Sequence, residues 1–404
     1  MNSRSEFHQQ SHHGSRHESG GELGSELGSD PGDDMRSDTR SDTVGHTGSD
    51  TGSDTANDTG SETRAGSRMV AEAGEAAAVA ARLLNNERDA FIALGADLRH
   101  RPPLSLLTVA RGSSDHAAHY MAYLVMARLG RLVTSLPMSL VTLYQSSLVC
   151  DGLVALAFSQ SGQSPDLVAP IKLIGEQGGR TLAFVNDAAS PLAQAAQRCI
   201  ALHAGPELSV AATKSYIAQL VAGAALAAAW QQDSQFSAAL AALPAALHTA
   251  WGQDWSAAVD ALHGADRLYV IGRGTGLPIA AEAALKFKEV CGIQAEAYSG
   301  AEVQHGPMAL VGAGFPMLVL APNGPAQPGL LLLAEQMRQR GARVLLAAPA
   351  GTPGCDLPLT ATGHVDLDPI AAVQSFYRMV EALARARGLD PDKPRHLNKV
   401  TRTQ

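Results

Sequence analysis

Three groups of side chains in this sequence have the types and spacing that chemistry requires. The first is Ser159-Gln160-Ser161-Gly162-Gln163-Ser164, a run of hydroxyls around a glycine with no lysine. If it joins the end of a strand to the start of a helix, free backbone N–H groups and the positive end of the helix dipole sit beside small hydroxyl donors. That combination suits a monophosphate. Serine is also a common helix cap, so an ordinary capping turn is the competing reading. Arg111-Gly112-Ser113-Ser114 is a second Gly-Ser turn that could close the same cradle. Neither it nor Gly272-Arg273-Gly274-Thr275-Gly276 follows G-x-G-x-x-G, so a nicotinamide cofactor lacks support.

The second group is Glu282, Lys286 and Glu289, which fall at i, i+4 and i+7 and so share one helix face. Such a row also arises as a solvated set of ion pairs. His305 follows in the turn-rich Glu302-Val303-Gln304-His305-Gly306-Pro307, where a lone histidine is as a rule incidental. The third group is a single amine, Lys399, in the polar segment Arg395–Thr401, which by itself reads as a frayed end.

The elements that must position these groups alternate as parallel βαβ units. Apolar runs at Leu104–Ala110, Leu153–Phe158 and Thr181–Val185 are expected strands, each followed by a polar turn and a helical pattern such as Ala117–Leu129. The plan then recurs. Arg273-Gly274 stands 162 residues after Arg111-Gly112, and Gly341 stands 163 after Gly178, an agreement that points to internal duplication. At the place of the Ser-Gln-Ser-Gly turn the second copy has Pro322-Asn323-Gly324-Pro325, so the hydroxyl-rich turn survives in one half only.

The expected organisation is a tail over 1–68, a helical segment over 69–96, and a first α/β domain over 97–238. A helical connection over 239–258, a second domain over 259–395 and a terminal segment over 396–404 follow. Residues 1–68 repeat variants of Ser-Asp-Thr with few apolar side chains, too little to offset the entropy of ordering, so disorder is expected there. Met69, where the composition changes, reads as a natural start. Pro102-Pro103 are expected to end the helix that begins at Met69.

Of the 404 residues 45% are hydrophobic and only 4% aromatic, which favours helices packed on buried strands. A net charge of −8 without a basic stripe argues against nucleic acid as a partner. Four widely spaced cysteines with no C-x-x-C form neither a disulfide framework nor a zinc site, and no apolar run suits a membrane or a signal peptide. A reducing cytoplasm is the expected compartment, and nothing in the sequence calls for a metal or other cofactor.

The ordered motifs RGSSDHA, SQSGQSPD, SVAATKSY, ALKFKEV, AEAYSGAEVQHGP and RHLNKVT resemble the tandem sugar isomerase (SIS) domains of the glucosamine-6-phosphate synthase family, over about residues 80–404. The resemblance implies an α/β fold of two flavodoxin-like three-layer domains, each a parallel sheet flanked by helices. It implies that Ser114, Ser159, Gln160, Ser161 and Ser164, with Ser113 beside them, hold a sugar phosphate. Glu289 is then the base between C1 and C2, supported by Lys286. His305 assists ring opening from the partner subunit of a homodimer, and Lys399 is an amine able to form a Schiff base with a ketose. Ala212 stands where the synthase carries a serine, so contacts from that loop do not transfer.

The wording of the motifs is most like stand-alone SIS-type glucosamine-6-phosphate deaminases, and no cysteine precedes Cys150 to serve as a glutaminase nucleophile. The expectation is therefore deamination of glucosamine-6-phosphate to fructose-6-phosphate. Alternatives are the galacto epimer, a fructosamine adduct, an isomerase that keeps the amine, and, in a different class, a sugar-phosphate sensor in a regulator.

Overall fold

The structure is a computed structural model, and it describes residues 66–399. The expected disordered tail lies, but for its last residues, outside the described residues, as do the last five positions of the chain. Helical structure is already set up ahead of Met69, where Ser67 caps the first described helix by accepting from the N–H of Val70.

Three helices open the described residues, α1 (Arg68–Gly74), α2 (Ala76–Asn86) and α3 (Arg88–His100). The periodicity suggested one continuous helix here. The chain instead tightens at Glu75, whose N–H reaches back three residues to Glu72 at 3.1 Å, and it turns again at Glu87. The first α/β unit follows: β1 (Ser105–Val109), α4 (Ser113–Leu129), β2 (Val133–Ser135), α5 (Ser139–Thr142), β3 (Leu153–Ser159), α6 (Pro165–Glu176), β4 (Arg180–Val185), α7 (Pro191–Ala195), β5 (Arg198–Ala201) and α8 (Lys214–Gln231). Helices α9 (Ser234–Trp251) and α10 (Ser256–Leu262) lead to the second unit. Asp233 caps α9 through the Phe236 N–H, so the expected boundary at 238/239 falls inside that helix.

The second unit comprises β6 (Arg267–Gly272), α11 (Leu277–Cys291), β7 (Gln294–Ser299), β8 (Pro316–Leu320), α12 (Gln327–Gln339), β9 (Arg343–Pro349), β10 (Leu357–Leu359) and α13 (Asp368–Ala386). All strand pairs are parallel. The orders β2-β1-β3-β4-β5 and β10-β9-β8-β6-β7 are the same doubly wound pattern, with the chain reversing direction between the first and third strands of each unit. The duplication seen in the sequence is therefore a duplication of topology.

Alternation along the strands divides the core. Leu106, Leu156, Phe184, Val270 and Leu318 face one large core shared by both units, while Leu107, Ala155, Ile271 and Val319 face separate outer layers. Helix α8 crosses the shared core and is buried on nearly every side, which its Ala-rich sequence permits by letting neighbours approach. Helix α4 joins the units at both ends. At its far end Arg128 pairs with Asp233 at 2.6 Å and with Asp366 of the second unit at 2.7 Å.

Candidate active site

Where the first sheet reverses direction, the chain leaves β1 and β3 toward opposite faces, opening a crevice at their C-terminal ends. After β1 it passes through Gly112 at φ +54°, a conformation that other residues rarely adopt, and enters α4 at Ser113. Arg111 donates through Nε to buried Asp166 in the first turn of α6 at 2.9 Å, pinning this loop to the next one.

After β3, Ser159 Oγ accepts from the N–H of Gly162 at 2.9 Å, and Ser161 Oγ accepts from the N–H of Gln163 at 3.3 Å. The backbone carbonyl of Gln160 takes the N–H of Asn186 at 3.2 Å. Ser164 occupies the N-cap of α6, yet its hydroxyl makes no capping bond. Across the crevice, Ser114 Oγ accepts from Gln219 Nε2 at 3.0 Å. A hydroxyl has one proton to give and two lone pairs. Ser114, Ser159 and Ser161 each receive an N–H, which leaves each hydroxyl a proton that it can donate.

Ser113 differs. Its Oγ donates to Glu282 Oε1 at 3.1 Å and accepts from Lys286 Nζ at 3.1 Å. Its proton is committed to a carboxylate, so its hydroxyl links the two units instead of facing the crevice as a donor.

The face of α11 that carries Glu282, Lys286 and Glu289 is not a solvated row of ion pairs. Glu282 is completely buried and Lys286 is 1% exposed, packed against α4 and α13. Glu282 Oε1 also accepts from the Tyr377 hydroxyl at 3.1 Å, and Oε2 meets His116 Nδ1 at 3.0 Å. Lys286 lies 3.3 Å from Glu282 and donates to the partly exposed Glu289. Burial alone pushes the Glu282 carboxyl up, but Lys286, His116 and Ser113 outweigh it and hold it below its ordinary value. Burial likewise opposes the Lys286 ammonium, and its two carboxylates raise it. The buried phenols of Tyr216 and Tyr377 are pushed well up, first by burial and then by Glu282.

Lys399 returns to the first unit. Its Nζ donates to the Ser209 carbonyl at 2.6 Å and lies 3.5 Å from buried Glu207. Glu207 in turn accepts the N–H groups of Thr213 at 2.9 Å and Ser215 at 3.1 Å, and so shapes the loop that contains Ala212. His305 ends an exposed 3₁₀ turn before Gly306, and among the described residues no hydrogen bond joins it to Glu289, Lys286 or the serine turns.

The structure thus brings Ser113, Lys286 and Glu289 into one network and leaves His305 apart from it. Glu207, Gln219, His116 and Tyr377 were given no part from the sequence. His116 stands three residues after Ser113 on the same helix, a spacing that could have drawn notice. Glu207 acts through backbone N–H groups, which leave no side-chain pattern to read. Among the described residues no cluster of His, Cys, Asp or Glu has the form of a metal site, and no helix is long and apolar enough to cross a membrane.

Two doubly wound sheets in tandem, with serine hydroxyls gathered at the reversal point of the first, define a protein built from paired α/β domains. The SIS domain family matches residues 101–229 and 261–349, one stretch in each unit, and the chain belongs to that family. Glutamine–fructose-6-phosphate aminotransferase (isomerizing) of Aeropyrum pernix is 36% identical over 319 residues, which are 73% of this chain and 50% of that protein. The chain spans about half the length of the curated relatives it matches. Among solved structures, a Silicibacter pomeroyi protein described as a phosphosugar isomerase is 43% identical with a TM-score of 0.77, covering 81% of this chain and 100% of that one. Glucosamine-6-phosphate deaminase of Thermotoga maritima shares the fold at a TM-score of 0.66 and 23% identity, covering 83% of this chain and 100% of its own.

Proposed function

We propose that this protein converts glucosamine-6-phosphate and water to fructose-6-phosphate and ammonia. The observation that carries the reading is the junction at Ser113. There the hydroxyl-lined crevice lies one residue from the network that holds Lys286 and Glu289. A phosphate anchored by Ser114, Ser159, Gln160, Ser161 and Ser164 supplies binding energy that places the reacting carbons of the sugar. Glu289 takes the C2 proton of the open-chain amino sugar and returns it to C1, a task for one carboxylate on one face of the intermediate. The product of that shift is the C2 imine. Lys399 attacks C2, ammonia leaves, and water hydrolyses the lysine imine to release the ketose phosphate and the free amine.

Support comes from membership of the SIS family and from the names of the relatives, which act on fructose-6-phosphate or glucosamine-6-phosphate. In this reading Lys286 holds Glu289, and His305 serves ring opening from the second copy of a homodimer. The test is to supply glucosamine-6-phosphate to the full chain and to measure ammonia and fructose-6-phosphate together. Equal release of both is expected. Isomerisation without ammonia, or activity confined to the galacto epimer or to a fructosamine adduct, overturns the assigned reaction. As a check on the base, Glu289→Gln is expected to bind the sugar phosphate without turning it over.

A further inference from the structure

Two segments meet at Lys399: the loop over 207–215 that receives its ammonium, and the stretch after α13 that delivers it. Both are also fastened to α1, which precedes the first stretch matched to the SIS family. At the start of α1, the backbone N–H groups of Arg68 and Met69 donate to the two oxygens of Asp392, each at 2.8 Å. The Ser67 hydroxyl donates to Glu381 at 2.8 Å. One turn on, buried Glu72 accepts the N–H of Leu208 and, at 3.2 Å, that of Ser209. Ser209 is the residue whose carbonyl takes Lys399 Nζ. Glu75 adds a pair with Lys214 at 2.8 Å.

We infer that α1 is a clip that sets the position of Lys399, with Glu72 and Asp392 as positioning residues for its amine. The inference rests on the part proposed above for Lys399 and names what holds that residue in place. Glu72 fixes the N–H groups of Leu208 and Ser209, and so limits where the Ser209 carbonyl that receives the amine can lie. Charge-assisted bonds to backbone N–H groups are the stronger kind, and without Glu72 two N–H groups in a mostly buried loop lose their acceptor. Asp392 anchors the delivering segment seven residues ahead of Lys399. Tethering that close shortens the span whose ends must be brought together, and with it the entropic cost of closure. Neither carboxylate bonds to any of the crevice serines, so each acts through Lys399 and its loop.

The test uses the full chain and the variants Glu72→Gln and Asp392→Asn, the second at a partly exposed site that tolerates an amide. Hydrogen exchange is read in the segments 205–215 and 388–399. Borohydride trapping of fructose-6-phosphate on Lys399 and steady-state kinetics are measured alongside. In both segments exchange is expected to speed up by about tenfold, the loss of roughly one charge-assisted bond, with the strands of the second unit unchanged. Trapping on Lys399 and kcat fall by a similar factor, while KM for the sugar phosphate stays within about twofold.

Exchange in 388–399 that matches the parent in both variants overturns the clip. So does equal trapping on Lys399 in parent and variants, or a loss that falls on KM instead of kcat. If the parent itself forms no adduct at Lys399, the chemical part assigned to that lysine fails. The exchange result then decides the clip separately, with faster exchange upholding it and unchanged exchange overturning it. Should Glu72→Gln not fold, Asp392→Asn carries the same readouts alone.

Discussion

Ser113 and Glu282 stand 169 positions apart in the chain and meet at 3.1 Å, hydroxyl to buried carboxylate. The bond ties the first turn of α4 to the middle of α11 and thereby one SIS domain to the other. It also separates two adjacent serines, since the Ser113 hydroxyl donates to Glu282 while the Ser114 hydroxyl accepts from Gln219.

That separation predicts a divided kinetic outcome. A hydrogen bond to a charged group contributes about 1.5–3 kcal/mol, so Ser114→Ala is expected to raise KM for the sugar phosphate by roughly 10- to 100-fold with a smaller change in kcat. Ser113→Ala is expected to lower kcat and leave KM nearly unchanged, because Lys286 and Glu289 lose a fixed neighbour. Steady-state kinetics on the two variants decide it; the reverse pattern removes the distinction.

Glu282 is expected to matter more for stability than a surface acid does. Taking one partner from a buried ion pair costs about 3–5 kcal/mol, because the remaining charge loses its compensation. Here Glu289 still accompanies Lys286, which places Glu282→Ala near the lower end. Urea unfolding of Glu282→Ala measures this. The double variant Glu282→Met with Lys286→Met should recover part of the loss, since it removes both fully buried charges but leaves the Tyr377 hydroxyl without its acceptor and Glu289 without its partner.

The same pair sets a dependence on pH. Glu282 is held below its ordinary 4.5 in the folded protein, so its contribution is present above that value and is lost as pH falls through the folded pKa. Lys286 is raised above its ordinary 10.5, so its contribution is complete below that value and is lost as pH rises through the folded pKa. A plateau of stability between these limits is expected in the parent. Urea midpoints against pH should show weaker acid and alkaline losses in the double methionine variant; identical profiles would refute the assignment.

Cys291 offers a simpler check. Burial pushes its thiol up to about 12, with Arg387 pulling weakly the other way. The thiolate is the reactive form, so iodoacetamide at pH 8 is expected to leave Cys291 unmodified in the folded protein and to label it after unfolding. Mass spectrometry of the peptide reads the result.

The serine turn after β3 admits only a glycine at its third place past Ser159. Gly162 has φ +64°, and a Cβ added there would lie 2.1 Å from Ser190 Oγ. Gly162→Ala is expected to destabilise the protein by about 1–3 kcal/mol and to weaken sugar-phosphate binding. Thermal unfolding and ligand titration both test it, and an unchanged melting point would count against the packing argument.

The tandem α/β plan, the duplication and the positions of the turns were legible in the sequence, because these follow from local causes. Apolar runs of strand length, the glycines at Gly112 and Gly162 and the helical spacing of Glu282, Lys286 and Glu289 are all set by neighbours within a few residues. The short edge strands β2, β5, β7 and β10 escaped that reading, since three to six residues on a sheet margin carry little periodic signal. What the α11 row does was also out of reach. The same spacing serves a solvated face or a buried one, and only the packing of α4 and α13 against it chose the second. Burial turned Glu282 from a surface acid into the hub of a closed network, and it tied Ser113 to that network. Glu72, Glu207 and Asp392 carry the same lesson. They hold backbone N–H groups of distant segments, a partner every residue but proline can offer, so which ones they hold follows from how the chain packs and not from any side-chain pattern.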